Sequence, residues 1–172
     1  GAPAAWITED VQPVAKNIYG ATKVAAEGLC ELYARNHGLP CIVLRTSRFF
    51  PEADDDPERR AAWSGANLKT SELLYRRVDL EDVVSAHLLA MDAAPRLQFA
   101  RYVISATTPF EPEDLPRLRA DAPAVVSRRV PGYVEEYARR GWSMLPSIER
   151  VYVNSKARSE LGWRPRYDFA TE

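Results

Sequence analysis

The run Cys41-Ile42-Val43-Leu44-Arg45 most constrains the fold of this chain, because it is almost unbroken in apolar residues and directly follows the helix-stopping stretch Asn36-His37-Gly38-Leu39-Pro40. Successive side chains of a strand point to opposite faces of its sheet, so a run like this has no face left for water. It belongs in a parallel sheet that helices cover on both sides. Upstream, the segment from Ile18 to about Asn36 has a helical repeat, with Ile18, Ala21, Ala25, Leu29 and Leu32 along one stripe and Tyr19, Lys23, Ala26 and Cys30 beside it. Downstream, Leu80 to Ala93 reads as a second helix, with Val83, Val84, Ala86, Leu88 and Met91 available for its buried side. Arg101-Tyr102-Val103-Ile104-Ser105 reads as a second strand. Asn154 is placed to cap a short helix that ends at Gly162, and Glu149 to Val153 forms a short strand before it. This alternation predicts an α/β fold.

The connecting stretches add little chemistry. Pro51 to Arg60 is an acidic then basic loop whose Asp54, Asp55 and Asp56 diverge along the backbone and lack the glycine and terminal glutamate of a calcium loop. Pro109 to Pro131 holds five prolines and Arg117, Arg119, Arg128 and Arg129, the pattern of a connection built from short helices. Cys30 and Cys41 fall inside a helix and a strand, where they read as small buried hydrophobes, and two histidines are too few for a zinc spacing. No metal site is expected.

At 172 residues, 46% hydrophobic and 27% charged, the chain is long enough for a core. A formal net charge of -1 and the absence of a long basic block argue against a nucleic-acid surface. With no apolar run of membrane-spanning length and no signal peptide, no membrane partner is expected, and the expected compartment is the reducing cytoplasm.

The candidate chemistry lies in Tyr19-Gly20-Ala21-Thr22-Lys23. Residues four apart on a helix sit one above the other, so the phenol and the ammonium reach the same spot. A phenol ordinarily titrates near 10, and a neighbouring positive charge favours its phenolate. A tyrosine tuned in this way can exchange a proton with a substrate hydroxyl. The same spacing also occurs on ordinary solvated helices, as a half-buried tyrosine beside a surface lysine.

Four segments, in order, resemble the extended short-chain dehydrogenase/reductase family, the NAD-dependent sugar epimerases and dehydratases. They are Ile7-Thr8-Glu9-Asp10 with Pro13, Tyr19 to Lys23 and Glu27; Leu44-Arg45-Thr46-Ser47-Arg48-Phe49-Phe50-Pro51; Val78 to Ala86; and Tyr152 to Ala157 with Leu161-Gly162-Trp163-Arg164-Pro165. The resemblance implies the C-terminal part of a Rossmann-like doubly wound parallel sheet plus a small α/β substrate-binding region. Residues 1–50 would end the dinucleotide-binding domain, and residues 51–172 would form mainly the substrate region, with one or more strands returning to the sheet. It implies that Tyr19 is the catalytic acid/base and that Lys23 holds the nicotinamide ribose and favours the phenolate. Phe50 and Pro51 would lie beside the nicotinamide. Arg48 stands where the family usually has a substrate-binding Asn, and Arg76 and Arg77 lie near the position of a basic residue that grips the substrate. Those two arginines also fit a solvated helix end.

The family's glycine-rich cofactor turn has no counterpart here, since the glycines stand at 1, 20, 28, 38, 65, 132, 141 and 162. Thr8 is the nearest candidate for the family's catalytic Ser or Thr, but it falls in the segment that resembles the loop after that strand. The chain therefore reads as the catalytic-helix and substrate half of an enzyme that uses NAD or NADP when intact, with none expected to bind this chain alone. The substrate would be a small molecule, possibly a nucleotide-sugar, and a homodimer or domain-swapped assembly is expected. The alternatives are a truncated, non-catalytic oligomerisation or interaction module, and a soluble α/β fragment whose Tyr and Lys pair is accidental.

Overall fold

A computed structural model describes residues 2–52 and 56–170. Asp54 and Asp55 lie outside the described residues. Asp56 caps the helix that follows, its carboxylate accepting from the backbone N–H groups of Glu58 and Arg59.

Among the described residues, two short parallel sheets organise the fold. Strand β1 (Ala5–Ile7) leads into helix α1 (Ile18–His37), which is followed by β2 (Cys41–Thr46). Helices α2 (Pro57–Ala62), α3 (Gly65–Leu73) and α4 (Leu80–Leu97) precede β3 (Phe99–Ile104). After a single 3₁₀ turn come α5 (Leu115–Ala120), α6 (Ala122–Arg129), α7 (Tyr133–Arg140), β4 (Arg150–Tyr152) and α8 (Ser155–Glu160). Strands β2 and β3 pair in parallel from Cys41 opposite Phe99 to Thr46 opposite Ile104. Strands β1 and β4 pair in parallel from Ala5 opposite Arg150 to Ile7 opposite Tyr152.

Local chemistry sets the helix ends. Asn17 caps α1 by accepting from the Gly20 N–H at 2.8 Å, and Gly38 closes it in the left-handed region that suits glycine, at φ 63°. Asp79 caps α4 by accepting from the Glu81 N–H. That helix runs past Pro95 to Leu97 before Gln98 turns it off.

The two faces of the β2–β3 sheet are covered differently. Ile42, Leu44, Ala100, Tyr102 and Ile104 share one face and pack with Val83, Ala86 and Ala90 of α4 and with Ala157, Leu161 and Trp163. On the opposite face Arg45 and Arg101 meet α1 through Glu27 and Glu31. The fully buried strand that the apolar run implied is therefore half-buried, with ion pairs where a second apolar layer was expected. The cysteines are likewise half-buried free thiols, not core residues. A second apolar cluster, centred on Leu74, Phe110, Leu118, Val126, Leu145 and Val151, packs the α5–α7 helices under the β1–β4 pair.

Two further expectations need correction. Only part of the apolar set on α4 is buried: Val84, Leu88 and Met91 are exposed, because Val83, Ala86 and Ala90 share the face that meets the sheet. Asn154 does not cap α8 with its side chain. Its Nδ2 donates instead to the Ser105 carbonyl and to Thr107, tying the start of α8 to the end of β3.

Candidate active site

Helix α1 begins with the Tyr and Lys pair, and both side chains are exposed on its first two turns. The Lys23 ammonium lies 5.3 Å from the centroid of the Tyr19 ring, within cation–π range. Together they border an open cleft of about 440 Å³ whose other walls are Ala26, Glu27, Cys30 and the length of β2 from Ile42 to Thr46. The i, i+4 spacing therefore does bring phenol and ammonium together, above the strand.

Ion pairs behind the cleft fix the angle between helix and strand. Arg45 grips Glu27 with both arms of its guanidinium, Nε to Oε1 at 3.0 Å and a terminal nitrogen to Oε2 at 2.8 Å, and donates to the Glu9 carbonyl at 3.0 Å. Arg101 adds a contact to Glu27 at 3.3 Å and one to Glu31 at 2.6 Å. The Arg45 guanidinium holds the Glu27 carboxyl below its ordinary range, although partial burial opposes this. The Glu9 carboxylate accepts from the Val103 N–H at 2.7 Å, so the segment before α1 is also sewn to the sheet. Sequence reasoning did not assign these residues. Glu27 was readable as the next turn of the Tyr19 and Lys23 face, and Arg45 as a charge inside an apolar strand.

Phe50, Pro51 and Arg77 line a separate cleft of about 330 Å³, with Lys69, Asp79 and Tyr167 among its walls. Phe49 and Phe50 stack at 4.4 Å between centroids, and Lys69 donates to the Pro51 carbonyl. Arg77 is buried and engaged: Nε reaches Glu72 at 2.9 Å and a terminal nitrogen reaches the Phe50 carbonyl at 3.0 Å. Arg76 also binds Glu72, and Arg59 approaches it to 3.7 Å, so one buried carboxylate gathers three guanidiniums. Glu72 is a key residue that sequence reading missed, since nothing in its helix marks it as buried. Arg48 and Arg76 line a third, smaller pocket, which touches the Tyr and Lys cleft at Thr46. Thr8 follows β1 in a turn, where its carbonyl accepts from the Val11 N–H.

The residues around the Tyr and Lys cleft fit the nicotinamide end of a dinucleotide. An ammonium and a phenol would supply the donors for ribose hydroxyls, beside a floor that includes Ile42, Val43 and Leu44. Among the described residues no glycine-rich strand-to-helix turn is present for a pyrophosphate.

Solved structures share this fold at low sequence identity. UDP-N-acetylglucosamine 4-epimerase from Bacillus cereus aligns over 95% of this chain at 17% identity and a TM-score of 0.55, which covers 51% of that enzyme's chain. UDP-glucuronic acid 4-epimerase from Bacillus cereus in complex with NAD aligns over 99% at 16% identity and 0.53, covering 52% of its own chain. RMD from Pseudomonas aeruginosa complexed with NADPH aligns over 96% at 19% identity and 0.53, covering 55%. The chain thus spans about half the length of these Rossmann-like structures. Among curated proteins none matches. A sequence model of the family matches residues 1–105, more than half of the 172, and the chain belongs to the NAD-dependent epimerase/dehydratase family.

Proposed function

We propose that this chain is the catalytic-helix and substrate half of an NAD(P)-dependent enzyme that epimerises, dehydrates or reduces a sugar or nucleotide-sugar, with Tyr19 as its acid/base. The observation that carries this reading is the Lys23 ammonium 5.3 Å from the Tyr19 ring, at the mouth of a cleft along β2, in a member of this family. Tyr19 accepts the proton of a substrate hydroxyl as its carbon is oxidised, and returns it in the reverse step. Lys23 stands beside the phenol and donates to the ribose hydroxyls. Glu27 is the next acid on that helix face, and its engagement by Arg45 and Arg101 keeps it from drawing Lys23 away from the phenol. A bound nicotinamide supplies the hydride acceptor.

Turnover of UDP-sugars by the complete enzyme tests the assignment. Removing the general acid/base should lower kcat in Tyr19→Phe by about 10²–10⁴-fold, with cofactor affinity largely kept. Lys23→Met should lower both turnover and cofactor affinity. A Tyr19→Phe enzyme with near-normal kcat would overturn the proposal.

A second reading, that the chain serves as an oligomerisation module, draws on the outer face of α1. There Ile18, Leu29 and Leu32 are exposed, and Ala21, Ala25 and Gly28 leave room for close helix contact. The two readings are compatible in a homodimer joined through this helix.

A further inference from the structure

The cleft that Tyr19 and Lys23 border also holds a thiol that has no part in the proton transfer. Cys30 lines it, two turns along α1 from Lys23. Helix positions 27, 30 and 34 follow the i, i+3, i+7 repeat of one face, and on α1 that face is turned to the sheet: Glu27 meets Arg45 there and Ala34 is buried. Cys41 opens β2. Together with Val43 and Arg45 it alternates onto the strand face that α1 covers. Helix and strand thus bring one cysteine each to the same seam.

In that seam the two thiols meet. The side chains of Cys30 and Cys41 lie within hydrogen-bonding reach of each other, and both are free and half-buried. Burial, with the Cys30 neighbour adding to it, pushes the Cys41 thiol up, so Cys41 holds its proton while Cys30 faces what enters the open cleft. Only the end of α1 and the turn at Gly38 separate them in the chain, and the left-handed backbone of that glycine sets the path of the link.

We propose that Cys30 and Cys41 are a dithiol that small disulfides of the glutathione class oxidise to an internal disulfide, joining α1 to the start of β2. The Cys30 thiolate attacks one sulfur of oxidised glutathione and expels a glutathione thiolate, leaving a mixed disulfide on Cys30. The Cys41 sulfur, its proton given to solvent, then attacks the Cys30 sulfur and expels the second glutathione thiolate. One protein S–S bond replaces that of the oxidant, and two electrons pass from the cysteines to glutathione. The two protons that the cysteines release are taken up by the two thiolates. The new bond ties down the helix that carries Tyr19. It forms whether or not Tyr19 is the acid/base, and thiol chemistry and melting read it without cofactor or turnover.

Oxidised glutathione is the probe. The chain, treated with it and quenched in acid, should lose two hydrogen atoms in intact mass, and a digest should contain one pair of peptides joined through Cys30 and Cys41. Groups on a short link have an effective concentration of millimolar order, so at roughly 0.1 mM free glutathione the internal disulfide should exceed the mixed one about tenfold. Cys41→Ser removes the second thiol and should stop at a single glutathione on Cys30. A disulfide that fits the native seam constrains the unfolded chain more than the folded one, so the oxidised chain should melt several degrees above the reduced chain. Thiols that stay unreacted, two glutathiones per chain with no internal bond, a disulfide between chains, or an oxidised chain that melts at or below the reduced one overturns the proposal.

Discussion

Asp82 should be one of the most destabilising positions to truncate, although it lies outside the Tyr and Lys cleft. It sits in the first turn of α4 and is 1% exposed, and its carboxylate accepts from the backbone N–H groups of Arg166 at 2.8 Å and Tyr167 at 3.0 Å. Its backbone carbonyl accepts from the buried Trp163 indole at 3.1 Å, so the final segment of the chain is pinned to α4 at this residue. Each hydrogen bond to a charged group contributes about 1.5–3 kcal/mol. Water can reach the half-exposed side of Arg166 and Tyr167 once the carboxylate is gone, which sets the loss for Asp82→Ala near the low end of the sum, about 3–4 kcal/mol. For a domain of this size that corresponds to a fall in Tm of roughly 6–16 °C. Asp82→Asn keeps one acceptor oxygen but turns an NH₂ toward the other N–H, so it should lose about half as much. Urea denaturation gives the free energies, and trypsin cleavage after Arg166 reports release of the tail. The tail carries Tyr167 into the Phe50 and Pro51 cleft, so release should also open that cleft. Equal midpoints for Asp82→Ala and the parent chain, or for the Ala and Asn variants, would refute the reasoning.

The other predictions concern charge and assembly. Asp114→Asn should cost about 1.5–3 kcal/mol, because it leaves Arg128 and Arg129 facing a neutral amide in place of the buried carboxylate they share, while solvent and Glu113 still reach the two guanidiniums; chemical denaturation measures it. The Glu27 carboxyl is held below its ordinary range by Arg45, so its stabilisation is complete above about pH 4.5 and is lost as pH falls through the lowered folded value. Glu27→Gln should therefore flatten the acid limb of the stability profile and lower stability at neutral pH, as read by thermal melts from pH 2 to 7. The chain should self-associate at roughly tens of micromolar, and Leu29→Glu with Leu32→Glu should shift it to monomer by light scattering; a parent chain that is already monodisperse as a monomer refutes this.

How much was legible depended on whether a feature was local. The helix stop at Gly38 and the apolar run after it located α1 and β2 to within a residue or two, since capping and continuous apolarity are properties of neighbouring residues. The pairing of Tyr19 with Lys23 followed from helix geometry alone. The buried side of α4 did not, because Val84, Leu88 and Met91 are as apolar as Val83, Ala86 and Ala90, and only the sheet beneath decides between them. Asn154 has the residue type of a cap, yet its amide is drawn away to Ser105, a partner 49 positions distant. Glu72 was invisible for the same reason. Its burial depends on Arg59, Arg76 and Arg77 arriving around it, and an isolated glutamate in a short helix carries no sign of that.

The two arginines that flank the end of β2 show how one strand serves both structure and chemistry. Ligands of open α/β sheets gather at the C-terminal ends of strands, where the backbone leaves the sheet. Arg45 lies one residue before that end, and its guanidinium is engaged by Glu27 and by the Glu9 carbonyl. It therefore sets how α1, and with it Tyr19, sits over the strand. Arg48 lies beyond the end, where its backbone bonds to the 76–78 segment hold it at the edge of the small pocket that Arg76, Arg150 and Tyr152 also line. Thr46 stands between them and borders both clefts. A change at Arg45 consequently acts on Tyr19 by tilting α1, while a change at Arg48 acts on the small pocket beyond the end of the strand.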